Sequence, residues 1–206
     1  TAQLGSYSLL LDGTDGKAIC STSADFDVSD GEFSMGAWFK TSNNRAMHIV
    51  GRYDNATSSA NRRMWIQAGA IQAQIRDSGA HNVIPISSAG FDDGEWHQAI
   101  AIRSGDTLSV YVDGIFEKSL TNSSIGSVDT STYFAVGSLY LNNAWQWLFD
   151  GNIDEVFDIH RALTADEILE IYNQQKIARA GLTAGEIIFG DNKEFIGWNG
   201  TLWKIF

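Results

Sequence analysis

The stretch Asp92–Leu120, DDGEWHQAIAIRSGDTLSVYVDGIFEKSL, leaves the chain few architectures. It reads as consecutive antiparallel strands, Trp96–Ile102, Leu108–Val112 and Ile115–Leu120, joined at Ser104-Gly105-Asp106 and at Asp113-Gly114. An Asp-Gly pair between apolar runs predicts a type I′ hairpin turn, because that turn needs positive φ at both central residues. Along the first two strands Ile100, Ile102, Leu108, Val110 and Val112 share a parity. That predicts that they line one face of the sheet, with Ala99, Ala101 and Tyr111 on the other. Such a meander belongs near the middle of a two-layer β fold.

The remaining segments agree with that architecture. Tyr7–Leu11 and Lys17–Cys20 flank a turn at Asp12-Gly13-Thr14-Asp15-Gly16 and predict a first hairpin. Met35–Thr41 alternates, with Met35, Ala37 and Phe39 opposite Trp38 and Lys40. Met47–Tyr53 and Arg62–Ala68 predict a second hairpin, and Ile71–Arg76 and Asn82–Ile86 further strands. Pro85 marks an edge or a strand end, since proline donates no ladder hydrogen bond. Tyr133–Ser138 reads as a strand, Leu139–Trp147 as a loop and Leu148–Ile159 as the last long strand. Thr164–Lys176 predicts the one convincing helix, with Thr164 and Glu167 as a capping box and Ile168, Ile171 and Tyr172 as its apolar stripe. The predicted fold is all-β, a two-sheet antiparallel β-sandwich (jelly roll) with one short C-terminal helix and a terminal β-hairpin.

Four segments in order carry a family resemblance: Ser8–Gly13 (SLLLDG), Phe33–Lys40 (FSMGAWFK), the meander itself, and Phe149–Val156 with Arg161–Ile168 (FDGNIDEV, RALTADEI). Over roughly residues 6–173 the chain resembles the laminin-G-like (pentraxin-like) jelly roll of the concanavalin A-like lectin and glucanase superfamily. The match is specific for fold and weak for function, because one fold hosts many activities. Residues 1–178 are expected to form this domain, and residues 179–206 a β-hairpin tail for assembly or docking. GEIIFGDNKEFIGWNGTLWKIF in that tail resembles endings found on phage tail-fibre and other virion proteins, with short strands around Asp191-Asn192-Lys193 and a turn at Asn199-Gly200.

Charge narrows the partners. Lys+Arg 14 against Asp+Glu 25 gives a net charge of −11, which repels phosphate backbones and argues against nucleic acid. Cys20 is the single cysteine, so no internal disulfide can form, and it reads as a small core hydrophobe. No apolar run is long enough to span a membrane, and no charged, apolar leader opens the sequence.

Chemistry is sparse. Retaining glucanases of the superfamily place carboxylates as E-x-D-x-x-E on one strand, a spacing absent here. Asp154 and Glu155 point to opposite faces of a regular strand, and His48, His81, His97 and His160 are scattered, so no enzyme is expected. His97 matches a family position, and the resemblance implies a structural or sheet-surface role for it. The resemblance implies a structural calcium ion tying the first strand's turn to the last strand, and the matching positions are Asp12 and Asp154, with Asp15 nearby. Carboxylates and backbone carbonyls suit such a hard cation.

Glycan binding needs exposed aromatic faces and planar amides. Trp38 and Trp96 match family core positions. Tyr140, Asn142, Asn143, Trp145 and Trp147 lie outside the family pattern in an aromatic, amide-rich loop. That loop is left with three roles: glycan contact, subunit contact or packing within the chain. Phe195, Trp198 and Trp203 in the tail are assembly candidates.

The sequence reading is therefore a non-catalytic phage virion component (decoration, fibre or tail-tip protein) that displays a lectin-like jelly roll to host-surface glycans. Other virion proteins or copies of itself, a trimer among them, are the expected partners, and the virion surface the expected location. The alternative is a carbohydrate-binding or adhesion module of a secreted bacterial protein, located extracellularly or at the cell surface.

Overall fold

A computed structural model describes residues 8–20, 24–53, 60–179, 196–198 and 203–205. In chain order the strands are β1 (Leu9–Asp12), β2 (Ala18–Cys20), β3 (Phe33–Lys40), β4 (Met47–Arg52), β5 (Asn61–Gln67), β6 (Ala70–Arg76) and β7 (Asn82–Val83). The meander supplies β8 (Trp96–Ser104), β9 (Thr107–Val112) and β10 (Ile115–Thr121). There follow β11 (Phe134–Val136), β12 (Leu139–Leu141), β13 (Ala144–Gln146), β14 (Asp150–Ile159), the helix α1 (Ala165–Arg179), β15 (Ile196–Trp198) and β16 (Trp203–Ile205). One sheet runs β1-β14-β3-β8-β9-β10 and the other β2-β11-β4-β5-β6-β7, every pairing antiparallel. This is the expected β-sandwich, and β15 pairs with β16 as the expected terminal hairpin. The predicted strands around Asp191–Lys193 fall outside the described residues.

The core lies between the sheets. Met35, Ala37 and Phe39 of β3, Leu108, Val110 and Val112 of β9, and Met64, Ile66, Ile71, Ala73 and Ile75 of β5 and β6 meet there, almost wholly shielded from water. Burying an aliphatic or aromatic side chain of this size contributes about 1.5–3 kcal/mol. Arg62 of one sheet forks onto Asp158 of the other, at 2.5 and 2.6 Å, and so bridges the layers inside the fold.

Two expectations about strand partners fail. β1 and β2 form no hairpin: β1 pairs with β14 and β2 with β11, so the turn after Asp12 carries the chain from one sheet to the other. The face assignment within the meander is also reversed. Ser104 pairs with Thr107, leaving only Gly105-Asp106 in the turn, and Ile100 therefore opposes Tyr111 while Ala99 opposes Val112. A loop one residue shorter than Ser104-Gly105-Asp106 moves every side chain of one strand to the other face. Ala99 and Ala101 face the core with Val110 and Val112, whereas Ile100 and Ile102 face outward.

That outward face is where α1 docks. Ile100, Ile102, Phe157, Ile159, Leu163, Ile168 and Ile171 form a second apolar cluster beneath it. Trp38 stacks on Tyr172 and donates its indole N–H to Gln175. The capping box forms as predicted: the Glu167 amide donates to Thr164 Oγ1 and the Thr164 amide to Glu167 Oε2. Arg161 grips the same carboxylate through two bonds of 2.9 Å and holds its pKa down at about 2. Asp113 and Gly114 have φ of 52° and 78°, as the type I′ turn requires. Pro85 lies just past β7, the edge strand, and its carbonyl accepts the Ala73 amide.

Candidate aromatic binding site

The segment read as a loop, Leu139–Trp147, is a small hairpin, β12 paired with β13. Its turn residues Asn142 and Asn143 have φ of 53° and 58°, left-handed values that asparagine tolerates because its side chain hydrogen-bonds locally. Leu139 anchors the hairpin in the interior, Ser138 donates to the Gln146 carbonyl, and the His48 amide donates to the Trp147 carbonyl.

The two tryptophans of this hairpin serve different surroundings. Trp145 joins Tyr140 and Tyr133 in a three-ring group, with centroids 5.1, 5.8 and 5.9 Å apart. Tyr133 is 40% exposed and Trp145 and Tyr140 are half-buried, so the group opens to solvent. Lys17 Nζ stands 5.3 Å from the Trp145 ring, and Asn142 and Asn143 are exposed at the tip of the hairpin. Apolar ring faces beside amides and an ammonium are the chemistry that receives a sugar, whose C–H face stacks while its hydroxyls hydrogen-bond. Tyr133 was not singled out from sequence; it sits just ahead of β11, and only the folded-back hairpin brings it to Trp145.

Trp147 turns instead toward β5. It meets Trp65 edge-on at 6.0 Å, and the Arg63 guanidinium lies 4.9 Å from its ring, 4.5 Å from that of Trp65 and 4.1 Å from that of Tyr53. Burial lowers the Arg63 pKa to about 10, leaving it a cation at neutral pH. His48, across the strand pair from Trp65, is fully enclosed; burial and then the Arg63 charge push its pKa down to about 3, so it is neutral.

The expected calcium residues are distributed along β1 and β14. Asp12 stands opposite Asp150, whereas Asp154 lies four residues further along β14, roughly 13 Å away at strand spacing. Asp12 Oδ1 accepts from the Thr14 amide and hydroxyl, which lowers its pKa, and Asp154 Oδ1 accepts from the Glu155 amide. Asp15 is exposed, and its carbonyl accepts from Lys17. Arg45 takes the carbonyls of Gly13 and Leu148. Among the described residues no three His, Cys, Asp or Glu side chains converge on a metal position. A polar cleft of about 550 Å³ lies beside Asp150, lined by Lys40, Thr41, Asn43, Asn44 and Asn152, without an aromatic ring. The side chains of Phe195, Trp198 and Trp203 lie outside the described residues.

These features define a lectin-like jelly roll with an aromatic platform on its rim. Residues 12–169 match the Laminin_G_3 family model, described as the concanavalin A-like lectin/glucanases superfamily, and the chain belongs to that family. No curated protein matches the sequence. Among solved structures, the fold is similar to the binding domain of Paraclostridial Mosquitocidal Protein 1, with a TM-score of 0.65 and 12% identity over 80% of this chain and 42% of that one. It is also similar to the Botulinum Neurotoxin serotype G binding domain (TM-score 0.62, 15% identity, 81% and 42% covered). Mouse laminin alpha1 domains LG4-5 match with a TM-score of 0.60 and 18% identity, over 76% of this chain and 44% of that one. The chain spans less than half the length of each of these structures. No helix among the described residues is long and apolar enough to cross a membrane.

Proposed function

We propose that this chain is a non-catalytic recognition module that binds surface glycans through Tyr133, Tyr140 and Trp145. The observation that carries the reading is the solvent-open three-ring platform, with Lys17 beside Trp145 and the exposed Asn142-Asn143 turn at the tip of the same hairpin. Membership of a lectin-like family supports it, as does a fold shared with structures that are themselves binding domains. The absence of the E-x-D-x-x-E carboxylate spacing supports a role without catalysis. Attachment to an outer surface suits this role, either on a phage virion or in a secreted bacterial adhesion protein. The virion reading rests on the resemblance of residues 185–206, and co-purification of the chain with intact particles tests it.

Binding of the folded chain to an immobilised glycan panel, with calcium and with chelator, tests the module itself. The expected result is binding that Trp145→Ala weakens at least tenfold while the melting temperature stays within a few degrees. Failure of every glycan to bind, or full binding by Trp145→Ala, contradicts the proposal. A calcium requirement would point to Asp12 with Asp150 and neighbouring carbonyls as ligands, since Asp154 stands too far along the strand.

A further inference from the structure

Arg63 differs from the other buried arginines. Arg52 pairs with Asp27, Arg62 with Asp158, and Arg103 donates to the carbonyls of Gly105, Ile125 and Gly126. Arg63 is 8% exposed and, among the described residues, donates only its Nε–H, to Gln74 Oε1 at 2.9 Å. No carboxylate among the described residues pairs with it, although the chain carries 25 acidic residues against 14 basic ones. A buried cation is ordinarily matched by an anion or by several acceptors, because leaving it unmatched costs several kcal/mol.

The surroundings are polar groups short of partners. Asn61, Arg63 and Trp65 alternate along β5 and so share its outer face, with Gln74 and Gln72 directly across on β6. The Asn61 amide and the Trp65 indole N–H are sealed from solvent without a hydrogen-bond partner among the described residues. Three rings hold the guanidinium from the sides and fix its orientation, while both Nη groups donate to nothing among the described residues.

We propose that Arg63 is an anion-recognition point, presenting its two free Nη groups from an aromatic sleeve to the carboxylate or sulfate of an acidic sugar. The planar fork matches two oxyanion oxygens at once, which an ammonium does not do. Tyr53 and Trp147 at the sleeve give the sugar ring an apolar wall. Trp147 is two residues from Trp145, roughly 7 Å along the chain, so one oligosaccharide can reach both positions. The proposal thus deepens the glycan-binding reading and rests on it. The acidic surface does not forbid an anionic ligand, because exposed charges are largely screened beyond about 8 Å at physiological ionic strength.

The test is a thermal-shift and calorimetric titration of the whole chain with sodium glucuronate, sodium sulfate, glucose, and sodium chloride at matched ionic strength. Wild type is expected to gain melting temperature with glucuronate or sulfate over chloride. Response to sulfate alone identifies a sulfate ester as the source, and response to glucuronate a sugar carboxylate. Arg63→Met should fold with an unchanged or higher melting temperature and bind the responding anion at least tenfold more weakly; Arg63→Lys should fall between. An equal response in Arg63→Met, or no gain over chloride with either anion, overturns the proposal. Because free anions need no platform, loss of panel binding with this response intact would sink the glycan reading and leave the Arg63 site standing.

Discussion

His97 stands between two carboxylates, its Nδ1 2.7 Å from Asp113 and its Nε2 3.1 Å from Asp93. Burial pulls its pKa down, but the two carboxylates outweigh that and hold it above the usual value. His48 shows the opposite outcome, since its neighbour is the Arg63 cation and its enclosure is complete. Its folded pKa of about 3 lies below the unfolded value of 6.5, so between those values the unfolded state binds more protons and acid destabilises the fold. From about pH 7 to pH 5 this single group should remove about 2 kcal/mol of stability. Glu155, raised to about 7 by burial and by Asp154, acts in the reverse direction, retaining its proton in the folded state. The informative comparison is therefore wild type against His48→Gln in denaturant unfolding at both pH values. The variant should lose about 2 kcal/mol less over that interval, and an identical loss would contradict the account. The hairpin that carries His48 and Arg63 was legible in the sequence, but the β4–β5 register, with its bulge between His48 and Val50, that sets them on one face was not.

At the scale of elements, α1 is held by its apolar contact with the outer face of a sheet rather than by propensity. Ile168 is fully buried in that contact. Ile168→Ala should therefore destabilise the domain by about 2–5 kcal/mol, through lost burial and the cavity left behind. Equilibrium unfolding measures this, and a loss under about 1 kcal/mol would place α1 outside the cooperative unit. The capping box and the Asp113-Gly114 turn were legible because their signals are local. The partners of β1 and β2 were not, because a strand's choice of neighbour is a long-range matter that flanking turn residues do not encode. The meander's faces were misread for a related reason: the assignment depended on one residue of loop length, and only pairing reveals it. The β12–β13 hairpin lay between these cases. Its aromatic and amide composition flagged it, but the division of labour between Trp145 and Trp147 depends on Tyr133, just ahead of β11, and on Arg63 of β5.

For the whole molecule, each sheet has a protected outer face of its own. One is covered by α1 and its apolar cluster; the other carries Asn61, Arg63, Trp65 and the β6 glutamines, with the β12–β13 hairpin at its rim. A net charge of −11 disfavours long-range attraction of polyanions, so the proposed glycan recognition must be short-ranged. The most direct test is an NMR titration of the indole N–H resonances with the strongest-binding glycan of the panel. The seven tryptophans give separate reporters over the molecule. Trp145 should shift first and furthest, with Trp147 and Trp65 following for acidic sugars, while Trp38 and Trp96 stay fixed in the interior. Saturable shifts that leave Trp145 unmoved would contradict the glycan-binding proposal.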